Sequence, residues 1–363
     1  MIGRAAGLAL GILADRALGD PQKHHPVAWF GRWASWLERR TWRDNRLAGT
    51  LHVGLALAPV AAVGTAAELA GRHNRAARLL GTAAACWVVT GGTSLDREAV
   101  AMAEHLEAGD LPAARTRLPH LCGRLPDSLG PDELARAALE SVAENSADAV
   151  VAPLFWGAIC GVPGLLVHRG INTLDAMVGH HNQRYENFGM VAARLDDAAC
   201  WLPARLTGAL ACALAGDRRA AAWRTMRRDA HDHPSPNGGW CEAAFAGAVG
   251  VQLGGRNVYP GGRVEFRGLL GSGPAPDSRA LRKGARLAAR VQWTSTGLAV
   301  AGLLARDLMA SGLAGKGLPG QPPRKSTARF PGTLLRGLGH AQPGKSAKSR
   351  GQFPGRTSAK GGR

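Results

Sequence analysis

The stretch from Ala149 to Val167 contains no charged residue, and three carboxylates, Glu140, Glu144 and Asp148, lead directly into it. An uninterrupted apolar run close to the roughly 20 residues that cross a bilayer forces a choice between a membrane span and a deeply buried helix. The acids narrow the choice. On a regular helix they fall at i, i+4 and i+8, stacking three like charges on one face. In water each such pair opposes the helix by about 0.2–0.5 kcal/mol, and beside apolar material the cost of unpaired charge rises steeply. A bound amine, another cation or Mg²⁺ would relieve that cost. The bland alternative is a solvated face with Arg136 as its neighbour.

Similar apolar runs recur. Leu51–Ala70 is charge-free until Glu68, Leu79–Gly92 contains Trp87, Ala198–Ala215 is broken only by Arg205, and Val291–Ala305 has Trp293 near its start. Interfacial Trp and frequent small residues suit helices packed in lipid. With little period-2 alternation, the expected fold is all-α: a polytopic integral membrane protein with polar helices and loops at one membrane face. Residues 231–262, dense in Pro, Gly and Asn, read as loop.

Mean composition hides this pattern, because 45% apolar residues and a mean hydropathy of −0.10 look soluble. The charge is uneven. Residues 316–363 contain eleven Lys or Arg and no acid, so they carry +11 of the net +18. Rich also in Gly, Pro and Ser, this segment reads as a disordered basic tail, after a membrane enzyme domain over 1–315. A positive charge concentrated in the tail argues against a nucleic-acid partner. Within it, Gly339 to Ser346 matches the phosphate-loop pattern GxxxxGKS, but no apolar strand precedes it, so the match reads as coincidence. The six cysteines show neither metal-ligand spacing nor a disulfide framework, and the short run Ala5–Leu13 lacks a cleavage site for a signal peptide.

Four more polar clusters flank apolar segments. They are Asp20 with His24 and His25, Asn172 to Gly179 with Asp175, Arg194 with Asp196 and Asp197, and Asp229 to Asn237 with His233. Carboxylates at the mouths of several apolar segments suit a polar site at one membrane face, holding a cationic or phosphate-bearing ligand through Mg²⁺. From the residues alone, a transporter or a Mg²⁺-dependent membrane phosphotransferase also remains open.

The wording of these clusters is specific. GDPQKHHPV (19–27), ALESVAENSADAVVAPLFW (138–156), NTLDAMVGH (172–180), RYENFGMVAARLDDAACWLPARLT (184–207) and RRDAHDHPSPNGGWCEAAFAGAVGVQLGG (227–255), followed by RNVY, resemble the CobD/CbiB family. That family comprises the adenosylcobinamide-phosphate synthases of cobalamin biosynthesis. The resemblance runs in order from about residue 5 to about residue 310. It implies a multi-pass cell-membrane enzyme, with its active site on the cytoplasmic side and other membrane enzymes of cobalamin assembly as partners. The implied reaction is ATP- and Mg²⁺-dependent ligation of aminopropanol, or its phosphate, to a propionate carboxylate of a corrinoid, adenosylcobyric acid. On that reading Glu140, Glu144, Asn145, Asp148 and His233 are the catalytic candidates. Asp20, His25, Asn172, Asp175, Arg194, Arg205 and Asn237 are substrate-binding candidates, and Asp196 with Asp197 the metal candidates. The sequence departs from the family pattern at Leu125, where an Asp is usual and Asp127 stands two places on, at Ala147 within Asn145–Asp148, and at Pro260.

Overall fold

The computed structural model describes residues 2–21, 25–259 and 263–315, the last five by backbone alone. The expected disordered tail, the phosphate-loop match and His24 lie outside the described residues. Thirteen α-helices are described: α1 (Ile2–Leu18), α2 (Pro26–Thr41), α3 (Arg46–Ala70), α4 (Arg75–Val89), α5 (Gly92–Glu107), α6 (Leu111–Arg117), α7 (Pro131–Ser146), α8 (Ala152–Cys160), α9 (Val162–Val178), α10 (Met190–Ala213), α11 (Arg219–Asp229), α12 (Gly238–Val249) and α13 (Ser278–Gly315).

Local chemistry sets many of the boundaries. Asn45, Asn74 and Asp110 accept backbone N–H bonds from the first turns of α3, α4 and α6, and Glu133 reaches back to the Gly130 N–H at the start of α7. Three clusters of buried side chains hold the helices. The largest joins α5, α7, α12 and α13 around Leu139, Phe245 and Leu281; truncating a fully buried Phe such as Phe245 to Ala costs about 3–5 kcal/mol. A second joins α1, α4, α8 and α9 through Ile12, Cys86 and Leu165, and a third joins α2, α3, α9 and α10 through Leu37, Leu174 and Phe188.

The expected all-α fold needs one correction. Of the segment 231–262 expected to be loop, Gly238–Val249 forms α12 and Leu253–Val258 forms strand β1, which pairs antiparallel with β2 (Val264–Leu270). Gly254 and Gly255 both take left-handed φ and break the register between Leu253 and Gly255. The apolar run Ala149–Val167 is not one helix either. A π-helical turn over Ala147–Val151 leads into α8, and Gly161, at φ 71°, ends α8 before α9 begins.

Among the described residues only α3 is, by itself, long and apolar enough to cross a membrane. Helix α10 and the segment Gly216–Asp232 pass the same test together, across a bend of 116°. Leu47, Leu51, Leu55, Val63 and Leu69 leave an apolar face of α3 exposed.

Candidate functional site

Helix α7 presents Glu140 and Glu144 one turn apart, and they meet opposite surroundings. Glu140 is buried, paired with Arg124 and, at 3.4 Å, with Arg136. It also accepts the Gly254 N–H at 2.7 Å. Arg136 donates onward to the Gly254 carbonyl, to Asn257 Oδ1 at 3.1 Å and to the Arg256 carbonyl at 2.8 Å. This group locks β1 onto α7 and leaves Glu140 no access to a ligand. The expectation that Glu140 is catalytic is therefore corrected: its charge is spent inside the fold. Asn145 is likewise turned inward, donating to the carbonyl and hydroxyl of Ser141 at 2.9 and 3.0 Å.

Glu144 faces a cleft, with its side chain 34% exposed. Around it gather His233 from the turn before α12, Glu242 from α12 and Arg267 from β2. His233 Nε2 lies 3.2 Å from Glu242 Oε1 and 3.9 Å from Glu144 Oε1. Arg267 Nη1 lies 3.0 Å from that imidazole nitrogen, 3.3 Å from Glu242 and 3.8 Å from Glu144. Arg267 is itself fixed by Glu265 at 2.8 Å and by the Tyr259 hydroxyl at 3.0 Å. Glu242 is fully buried and its Oε2 has no partner. Burial first, then the charges of Glu144 and Glu140, push its carboxyl up to about 7. His233 is raised too: burial opposes its charging, but the hydrogen bond to Glu242 and the charges of Glu242 and Glu144 outweigh it.

The π-helical turn rotates Asp148 out of the expected stripe and toward α9 and α10. The amide of Asn172 lies 3.5 Å from Asp148 Oδ2 and 3.4 Å from Asp196 Oδ1, so it draws these two carboxylates together. Burial and the nearby Glu144 charge push Asp148 up to about 7. Consecutive residues on a helix point about 100° apart, and Asn172 joins Asp196 to Asp148 rather than to Asp197. The expected metal candidates Asp196 and Asp197 both line the cleft, with Asp148 from a different element held beside Asp196.

Glu144, Asp148, Asp175, Asp196, Asp197, His233 and Asn237 all line one cavity of about 420 Å³. An adjoining cavity of about 570 Å³ shares Asp197, His233 and the turn 234–236 with it and adds Arg46, Arg194, Arg205 and Trp240. Together they make one cleft with an acidic inner part and a basic, aromatic outer part. Arg205 stacks 4.1 Å over Trp201 and 4.7 Å over Trp240 and reaches Asn237 Oδ1 at 3.4 Å. Asn237 in turn donates to the Asp197 carbonyl at 2.8 Å, tying α10 to the turn that carries His233.

Asp20 and His25 do not line this cleft, which corrects their expected substrate contact. His25 caps α2, its Nδ1 accepting the Val27 N–H at 3.1 Å. Leu125, where the resembled family has Asp, pairs its N–H with the Val258 carbonyl at 3.0 Å, while its neighbour Arg124 supports Glu140. Neither Leu125 nor Asp127 lines the cleft. Glu242 and Arg267 were missed from the sequence. A lone carboxylate inside the apolar stretch Cys241–Val249 was a signal for Glu242, because an uncompensated charge there is expensive. No local pattern singled out Arg267.

Ligand atoms of Glu144, His233 and Glu242 lie within 4.8 Å of one another, close enough to converge on one metal ion. The Arg267 guanidinium already fills that focus and supplies the compensating charge. The Asp148/Asp196 pair, with the Arg169 guanidinium acting on Asp148, offers only oxygen ligands, the donor type that suits a hard divalent ion.

Fold and cleft together define a mostly helical protein whose cleft is lined by carboxylates at one end and by arginines and aromatic rings at the other. The chain belongs to the CobD/Cbib protein family, which residues 8–288 match. It is 49% identical over 301 residues to a protein of Mycobacterium tuberculosis named cobalamin biosynthesis protein CobD, covering 82% of this chain and 95% of that one. Its counterpart of the same name in Rhodobacter capsulatus is 41% identical over 292 residues, covering 78% and 92%. Cobalamin biosynthesis protein CbiB of Salmonella arizonae is 37% identical over 311 residues, covering 83% and 96%. No solved structure matches the chain.

Proposed function

We propose that the chain is the amide-forming enzyme of cobalamin biosynthesis, an adenosylcobinamide-phosphate synthase that joins aminopropanol or its phosphate to a corrinoid propionate. The role in cobalamin biosynthesis follows from the family. The observation that carries the reaction is the cleft itself, where carboxylates gather at one end and guanidinium groups at the other.

An amine arrives at neutral pH as an ammonium ion, which the inner carboxylates attract. Glu144, with about a third of its side chain exposed, is open to it. The amine must lose a proton before its nitrogen can attack a carbonyl carbon. Glu144 is placed to take that proton, with the His233–Glu242 pair behind it to hold it; a carboxyl raised to about 7 is suited to that task near neutral pH. A carboxylate is a poor acyl donor, so the propionate needs activation by ATP: its oxygen takes the γ-phosphoryl group, ADP leaves, and phosphate leaves when the amine attacks. Arg194 and Arg205, in the outer part, are placed for the phosphate groups. Asp148 and Asp196, oriented by Asn172, are the residues that would hold Mg²⁺, which when bound offsets phosphate charge.

The setting that goes with this reading is the cell membrane, in a multi-pass arrangement with the cleft open to cytoplasmic ATP. The apolar exposed face of α3 and the bent segment beginning with α10 support it. Complementation tests the whole proposal. A strain unable to convert cobyric acid to cobinamide should regain cobalamin synthesis with this chain and not with its Glu144→Gln variant. Failure of the unaltered, membrane-inserted protein to complement would overturn it.

A further inference from the structure

Away from the cleft, α11, α12 and the turns flanking the hairpin enclose a separate cavity of about 280 Å³ that shares no lining residue with either part of the cleft. Arg218, Arg224 and Arg228 line it, Thr225 and Ser272 add two hydroxyls, and among the described residues no acidic side chain lines it. Each guanidinium is anchored by its inner nitrogen. Arg218 Nε donates to the Gly247 carbonyl at 3.0 Å and Arg224 Nε to the Ala220 carbonyl at 3.3 Å. Arg228 pairs through Nε and Nη2 with Asp229, which also accepts the Gly271 N–H at 2.7 Å. The three side chains are solvent-exposed at the rim of the cavity, and these bonds leave both terminal nitrogens of Arg218 and Arg224, and one of Arg228, open to a ligand.

The opposite wall is bare backbone. Gly250 and Gly271 take left-handed φ of 89° and 87°. A Cβ on Gly250 would come within 2.6 Å of the Arg218 guanidinium carbon, and one on Gly273 within 2.8 Å of Val251 Cα. Only glycine lets the two turns approach each other and the arginines this closely. Three clustered guanidinium groups repel one another. Asp229 offsets one of them, leaving two positive charges, which a phosphate dianion balances with bidentate geometry.

We propose that this cavity binds a tetrahedral phosphate dianion, either free phosphate or the phosphomonoester headgroup of a lipid, independently of the acidic cleft. The full-length protein is placed in phosphatidylcholine nanodiscs and titrated with inorganic phosphate, followed by ³¹P NMR and calorimetry. A parallel sample contains phosphatidic acid, and lipid retained by the protein is measured by native mass spectrometry. Saturable phosphate binding in phosphatidylcholine identifies a soluble ligand, and selective retention of phosphatidic acid identifies a headgroup; either supports the site when it is weakened by the cavity variants and kept in Arg205→Gln of the cleft. Replacing one guanidinium by an amide removes charge-assisted hydrogen bonds, so Arg224→Gln and Arg218→Gln should each weaken binding about tenfold or more. Arg219→Gln, on the same helix but outside the cavity, should bind as the unaltered protein does, and the basic tail contributes the same background to every sample. Absence of saturable binding by both probes, or unchanged binding in both Arg224→Gln and Arg218→Gln, overturns the proposal.

Discussion

Glu140 and Glu144 are the same residue type, one turn apart on one helix, and the fold uses them in opposite ways. Around Glu140 two guanidinium groups and a backbone N–H more than compensate its charge and close a brace between α7 and β1. Around Glu144 the compensation is incomplete: Glu144 and Glu242 share a single guanidinium, that of Arg267, and one oxygen of Glu242 has no partner. The difference teaches that neither residue type nor helical spacing marks a reactive carboxylate. Access and a deficit of compensating charge do.

The strongest way to break this contrast is Glu140→Gln. Removing one partner of a buried ion pair leaves Arg124 charged without its counterion, which costs about 3–5 kcal/mol. Denaturant unfolding should report that loss, and a change under about 1 kcal/mol would mean the brace is not structural. Glu144→Gln should behave in the reverse manner. Amide formation should fall about a hundredfold or more, while the unfolding midpoint barely moves because the side chain is already part-exposed. Turnover close to that of the unaltered protein would shift the chemistry to Asp148 and Asp196.

A third measurement sharpens the deficit at Glu242. Its folded carboxyl is raised from 4.5 to about 7, so the folded state holds the proton more tightly than the unfolded chain does. That contribution is fully present below the unfolded value and is lost as pH rises through about 7. His233, also raised, changes stability in the same direction. Stability should therefore fall by about 1–3 kcal/mol between roughly pH 5 and pH 8, and Glu242→Gln should flatten the slope. A slope unchanged in Glu242→Gln would assign the pH dependence elsewhere. The smallest effect is expected from Glu104→Gln, whose exposed side chain only approaches Arg282 at 4.0 Å. Activity should hold and stability should stay within about 0.5 kcal/mol; a large loss there would show that any carboxylate near α7 matters.

Much of the cleft was legible because its polar clusters adjoin apolar segments, and burying an apolar flank drags its polar neighbour to the same end of the helix. Asp175, Asp196, Asp197, His233 and Asn237 were found in this way. What spacing could not supply was the departure from a regular helix: the π-helical turn moves Asp148 off the Glu140–Glu144 line, and Gly161 divides a run that composition presents as continuous. The hairpin was hidden for a related reason. Leu253-Gly-Gly-Arg-Asn-Val258 has no alternation and gains its shape from pairing with β2 and from Arg136, both distant in sequence. Arg267 was invisible because its partners lie on α7 and α12 and nothing local distinguishes it.

The brace also sets an order of events during synthesis. Helix α7 leaves the ribosome more than a hundred residues before the Gly254 N–H that completes the environment of Glu140, and Arg267 follows later still. Until then Glu140 has its arginines, which precede it, but Glu144 lacks His233 and Arg267, and the cleft has no cation at its floor. Domains fold as their segments emerge, so a chain arrested anywhere before residue 267 can be extensively helical and still lack an assembled cleft. Pausing or premature termination in that interval should yield protein that is helical but inactive, and sensitive to proteolysis around α7.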